Sequence, residues 1–204
     1  MKLSEAKKIT LSLVIRLQPH CEKIYVAGSI RREKQDVKDI ELVVMPKKIF
    51  VQDDLFGDGH DEIVKEFDVA IGKIAKTIIK GKSNGRYMQI ALHEGINLDL
   101  FIPAPNDYYR QLAIRTGSSD YAHYVIATAW KRLGWCGSDK GFRRTVDCVE
   151  QISAGKKSYK CINAQGDLPP NWQSEKEFFD WLKIPLLPPT QREYHYKPPL
   201  NLAQ

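Results

Sequence analysis

Apolar residues open the chain at Leu3, Ala6, Ile9, Leu13, Val14 and Leu17, with Lys and Ser between them. That spacing is one stripe of an amphipathic helix, with Ser4 its expected N-cap. Pro19 biases the preceding residue to extended backbone, so the helix is expected to stop at Gln18. The period then changes. Ile24-Tyr25-Val26 reads as a strand entering Gly28-Ser29, followed by a basic turn at Arg31 and Arg32 and a second strand up to Val44. Side chains alternate across a strand, so Ile40, Leu42 and Val44 face a core while Asp39 and Glu41 project together from the other face.

Pro46 to His60 reads as a solvated loop with Asp53, Asp54, Gly57, Asp58 and Gly59, whose spacing lacks a calcium-ligand pattern. Asp61 is placed to cap a helix carrying Ile63, Val64, Phe67, Ala70, Ile71, Ile74 and Ala75 on one stripe. TIIKGKSNGRYMQIAL reads as a β-hairpin around a Gly-Ser-Asn turn, and Ile96 to Ile102 as a further strand. Pro103-Ala104-Pro105 is a boundary unsuited to helix or central strand. Beyond it, Asp107 to Arg115 reads as a helix broken by Thr116-Gly117-Ser118. Ser119 or Asp120 can cap the next helix, with Tyr121, Tyr124, Val125, Thr128 and Ala129 on one face and Gly134 its end. Trp135 to Arg144 reads as irregular around a Ser138–Gly141 turn. Ser174 and Glu177 match a capping box opening a short helix, and the proline-rich stretch from Pro185 reads as an extended tail.

Composition adds a partner and excludes some classes. The 204 residues suit one large domain or two small ones, and a formal net charge of +6 suggests a polyanionic partner. Cys21, Cys136, Cys148 and Cys161 lie far apart without a CxxC pair, which argues against zinc and against a secreted disulfide framework. The first helix is too interrupted to span a bilayer and no secretory signal precedes it, so a cytoplasmic, membrane-free protein is expected.

The carboxylates carry the candidate chemistry. Asp39 and Glu41 repel each other, and a hard divalent cation such as magnesium would remove that repulsion. The nearby arginine pair and Gly-Ser turn would suit a polyphosphate held against the metal. A hairpin edge with solvated charges is the plain alternative. Asp99 is a lone acid among apolar strand neighbours, where burial is costly unless it is paired or metal-bound. Beside the first pair it would complete a cluster able to hold two metal ions roughly 3.5–4 Å apart, which clamp the oxygens of an in-line displacement. The alternative there is an exposed Asp at a strand end. Lys73, Lys76, Lys80, Lys82 and Arg86 accumulate with no acid between Asp68 and Glu94, a run that suits either a phosphate backbone or a solvated surface.

GSIRR followed by DIELVV, the KGKSNGRYMQIAL hairpin and NLDLF resemble the palm of family X DNA polymerases, the group of DNA polymerase beta. NDYYRQLAIRTGSSDYAHYVIATAWKRLGW resembles that family's segment around its Thr-Gly-Ser turn, and SEKEFFDWLKIPLLPPTQRE its closing segment. The paired acids with GS-RR are shared by a broader nucleotidyltransferase superfamily, whereas the ordered set is specific to family X. The resemblance implies an α+β fold: a nucleotidyltransferase palm over residues 1–104 with a mixed β-sheet flanked by helices, a small α/β thumb over 105–190, and an extended tail over 191–204. It is similar to the smallest viral members, which have palm and thumb without the N-terminal lyase domain. Lys156, Lys157 and Lys160, with the hairpin cations Lys80, Lys82 and Arg86, are then expected to bind DNA.

The implied activity is DNA-directed addition of a nucleotide from a dNTP to a DNA 3′ hydroxyl with release of pyrophosphate, in gap-filling repair, by a monomer on primer-template or gapped DNA. The resemblance assigns Asp39, Glu41 and Asp99 to two Mg²⁺ ions, with Mn²⁺ a possible substitute, and sets Asp99 nearest the primer hydroxyl. Ser29 and Arg32 would bind the triphosphate with the backbone at Gly28, and Gly117 and Ser118 would receive the sugar. Four positions depart from the family. Glu41 stands where Asp is usual, Ile114-Arg115 replaces an aromatic pair, Ala122 replaces a base-reading Asn, and Asn97 stands where an Arg often precedes the third Asp. Two alternatives follow: a template-independent or small-molecule nucleotidyltransferase, and a DNA-end or nucleotide-binding module that has lost catalysis.

Overall fold

The computed structural model describes residues 1–52, 58–153 and 155–194. Helix α1 (Leu3–Leu17) leads into β1 (Cys21–Val26), a single helical turn α2 (Gly28–Arg31) and β2 (Asp39–Pro46). A hairpin of β3 (Lys48–Gln52) and β4 (Gly59–Ile63) precedes α3 (Lys65–Ile74), and β5 (Ala75–Gly81), β6 (Tyr87–Leu92) and β7 (Asn97–Phe101) complete the first half. The five-stranded sheet has the order β1-β2-β7-β6-β5 and is mixed: β2 and β7 run parallel, and the other neighbours are antiparallel. The fold is therefore α+β.

One face of this sheet holds the main core. Ile40, Leu42 and Val44 of β2 meet Leu98 and Leu100 of β7, with α1 (Leu13, Leu17) and α3 (Phe67, Ile71) packed over them. Each such side chain contributes about 1.5–3 kcal/mol on burial. On the opposite face, Val43 and Phe101 pack with Tyr108 and Leu112 of α4 (Tyr108–Thr116), and the Tyr108 hydroxyl donates to the Val43 carbonyl at 2.9 Å. Helix α4 thus covers one end of the face that carries the acids.

A second core is aromatic. It joins Trp130 of α5 (Ala127–Arg132), Trp135 and Phe142 of the hairpin β8 (Trp135–Ser138) and β9 (Gly141–Arg144), Trp172, and Phe178 of α6 (Glu175–Leu182). A further hairpin, β10 (Cys148–Ser153) and β11 (Lys156–Cys161), carries the Lys156–Lys160 run on exposed residues apart from Tyr159. Among the described residues no helix is long and apolar enough to cross a membrane.

Several sequence expectations need correction. Helix α1 has no side-chain cap, and Ser4 lies inside it. Its start is pinned instead by backbone bonds from Leu3 to Gln35 and from Val37 to Met1. The expected loop after Pro46 contains β3 and β4, so Asp61 pairs with Phe50 in a strand and α3 begins at Lys65. This hairpin is mostly exposed, which removes the burial pattern that announces a strand. Asp53, Asp54 and Gly57 lie outside the described residues. Ser118, not Ser119 or Asp120, accepts from the Tyr121 amide where the next helix starts, and that helix opens with a π turn over Tyr121–Ile126. The stretch expected to be irregular is the β8–β9 hairpin. The capping box at Ser174 is present: its hydroxyl accepts from the Glu177 amide at 3.1 Å, and Glu177 reaches back to the Gln173 amide at 2.7 Å.

Candidate active site

The parallel register of β2 and β7 sets Glu41 opposite Asp99 and Asp39 opposite Asn97. Because faces alternate, Asp39, Glu41 and Asp99 share one face, all of them half-buried. Burial pushes the Glu41 carboxyl up to about 7, helped by the charge of Asp39 and opposed by the Arg115 guanidinium. Burial, then the charge of Asp99, also raises Asp39 above the usual carboxylate range. Asp99 is positioned by its neighbours on β6: its Oδ1 accepts from the Tyr87 hydroxyl at 2.8 Å and from the Gln89 amide at 2.9 Å. Burial and that bond hold the Tyr87 phenol up at about 12.

Gly28 stands directly behind Glu41. Its φ of +62° belongs to the left-handed region, and a Cβ there would lie 1.8 Å from Glu41 Oε2. The Ala27 amide donates to the Glu41 carbonyl at 2.9 Å, so both the backbone and the carboxylate of Glu41 fit the β1–α2 corner. Next to it, the Ser29 hydroxyl is buried and has no hydrogen-bond partner among the described residues. Buried polar atoms are nearly always paired, which makes this hydroxyl available to a ligand.

A cavity of about 460 Å³ opens over this corner, lined by Arg32, Glu41, Arg115, Gly117, Ser119 and His123, among others. Gly117 has φ +58°, and the Gly117–Ser118 peptide bond is cis. The two arginines diverge. Arg31 turns away and donates to both oxygens of Glu175, at 3.1 and 2.9 Å, where Arg192 also donates at 2.7 Å. Arg32 lines the cavity, and is held there by Glu193 at 3.1 Å and by the Thr116 carbonyl. Lys34 also pairs with Glu193, at 2.8 Å.

The structure therefore brings Gly28, Ser29, Arg32, Asp39, Glu41, Asp99 and Gly117 to one region. It gives Ser118 a structural place, with its hydroxyl on the Tyr121 amide and its own amide on the Arg192 carbonyl at 2.8 Å. The hairpin cations do not form one patch. Lys80 lies over the Tyr87 ring at 5.1 Å, Lys82 lines a different cavity with Glu62 and Asp68, and Arg86 faces the β8–β9 hairpin. Tyr87, Gln89, His123 and Glu193 join the site without a sequence signal of their own. Tyr87 and Gln89 do sit two apart in a strand, but only the register sets them beside Asp99.

Among the described residues no three His, Cys, Asp or Glu side chains converge as a ready-made metal-binding group. The donor chemistry nevertheless fits a hard divalent cation. All three groups are carboxylates on adjacent strands, and two of them titrate high because burial and mutual repulsion disfavour their charges. No family model matches the chain, and no curated protein matches it.

Proposed function

We propose that this chain is a nucleotidyltransferase of the family X DNA polymerase type, adding a nucleotide from a dNTP to a DNA 3′ hydroxyl in gap filling. The observation that carries the reading is the single cavity walled by Arg32 and Glu41 of one short stretch and by Gly117, which lies far from them in the chain. In this reading residues 1–104 are the palm, 105–190 the thumb and 191–204 the tail. When bound by Asp39, Glu41 and Asp99, two Mg²⁺ ions, or Mn²⁺ in their place, neutralise charge on the transferring phosphoryl group.

The chain's own residues do the rest. The unpaired Ser29 hydroxyl donates to a phosphate oxygen, and Arg32 exchanges the Glu193 carboxylate for phosphate. Tyr87 and Gln89 occupy Oδ1 of Asp99 and so aim its other oxygen, which takes the proton of the attacking hydroxyl. Catalysis in this class rests on positioning and electrostatics rather than covalent chemistry.

Primer extension with labelled dNTPs tests this, run with and without a template, in Mg²⁺ and in Mn²⁺. Incorporation by the wild type and none by Asp99→Ala is expected; no incorporation with either metal overturns the reading. Ala122 lines the cavity where a base-reading side chain is expected and offers no hydrogen bond. Template-independent addition is therefore the second reading, and the untemplated arm detects it.

A further inference from the structure

A second cavity of about 460 Å³ shares Arg115 with the first and opens between the β6–β7 strands and the β8–β9 hairpin. Arg86, Lys140 and Arg143 line it as well. The acid on its wall is Asp107, which is already engaged by Arg110 through its Nε and, at 2.8 Å, its Nη2. Arg86, Lys140 and Arg143 pair with no carboxylate among the described residues. Arg143 is half-buried, and its Nε is buried with no hydrogen-bond partner among the described residues. A buried charged donor left unpaired is among the costlier arrangements in a folded protein, and calls for an acceptor.

Part of the remaining wall is apolar. Phe101 and Phe142 line the cleft, fixed by guanidinium groups over their faces: Arg115 at 4.0 Å and Arg110 at 4.6 Å. Leu168 and Pro169 lie beside them. Arg86, Arg110, Arg115, Lys140 and Arg143 all line this one cavity.

We infer that this cleft is a phosphate-binding site, in which Arg143, Lys140 and Arg86 hold the dianionic phosphate of a phosphomonoester or pyrophosphate. A terminal phosphate carries nearly two charges at neutral pH and three acceptor oxygens, which matches several convergent donors better than a phosphodiester does. The aromatic walls accommodate the organic part of the ligand. The site adjoins the carboxylate face through Tyr87, Phe101 and Arg115 but uses none of the three acids, and it does not require polymerase activity.

Isothermal titration in EDTA tests it, with AMP, pyrophosphate, adenosine and an unphosphorylated oligothymidylate as probes. Without divalent cations the acids Asp39, Glu41 and Asp99 repel phosphate, so binding at that face is suppressed. AMP and pyrophosphate are expected to bind and adenosine not to. Arg143→Gln and Lys140→Gln should each weaken binding about five-fold or more, while Arg32→Gln leaves it unchanged. Lys140 sits in an exposed turn, so its variant keeps the test valid should Arg143→Gln fail to fold. Absence of AMP binding, or equal affinity in wild type and Lys140→Gln, overturns the assignment. So does oligothymidylate binding as tightly as AMP and losing affinity in the same variants, since that would make the cleft a groove for a continuous strand.

Discussion

Gly28 and Glu41 fill the same corner: a Cβ at position 28 would stand 1.8 Å from Oε2 of Glu41 and 3.1 Å from its Cβ. The longer side chain at position 41 is thus accommodated by the bare backbone opposite it. Gly28→Ala meets both this clash and the strain of φ +62°, and should destabilise the fold by about 1–3 kcal/mol with loss of nucleotide addition. Shortening the carboxylate with Glu41→Asp in the Gly28→Ala background should recover part of that stability in denaturant melts. No recovery would show that the two residues do not compete for this space.

Glu41 also sets a pH dependence. Its carboxyl titrates near 7 in the folded protein against 4.5 in the unfolded chain. A raised acid pKa favours folding only while the group is protonated, so metal-free stability falls as pH rises from about 4.5 through 7. The loss is on the order of 3 kcal/mol when deprotonation is complete. Thermal melts in EDTA should show Glu41→Gln gaining on the wild type across that window, and Mg²⁺ should narrow the gap. Parallel pH profiles for the two proteins would contradict this.

Glu175 behaves in the opposite sense. It is nearly buried between Arg31 and Arg192, whose hydrogen bonds and charges outweigh desolvation and hold its carboxyl below the usual range. Its contribution is complete above its unfolded pKa of about 4.5 and fades as pH falls through the lower folded value. At neutral pH, Glu175→Gln leaves two arginines facing a neutral group and should cost about 3–5 kcal/mol. Urea titrations at pH 7 and pH 3.5 check both halves, with a smaller difference expected in acid.

Glu193 competes for Arg32, which lines the cavity over the Gly28–Glu41 corner. Its bonds to Arg32 and Lys34 occupy donors that a triphosphate would need. Steady-state kinetics should therefore show Glu193→Gln lowering KM for dNTP by about three- to ten-fold with little change in kcat. A raised KM would mean instead that Glu193 orients Arg32 for its ligand.

Local pattern alone was enough to set Asp39 and Glu41 on one strand face, because alternation depends only on neighbouring residues. The β5–β6 hairpin and the Ser174 cap were legible for the same reason. Tertiary structure decided what no local pattern encodes. Parallel register, fixed when β7 inserts between β2 and β6, is what sets Asp99 opposite Glu41. The β3–β4 hairpin stayed hidden because its mostly exposed strands carry no burial signal. Arg31 and Arg32 are identical neighbours in sequence, yet one closes a buried clamp on Glu175 and the other lines the cavity. Both reach Thr116, but α2 turns their remaining donors toward different carboxylates, Glu175 and Glu193, which lie more than a hundred residues further along the chain.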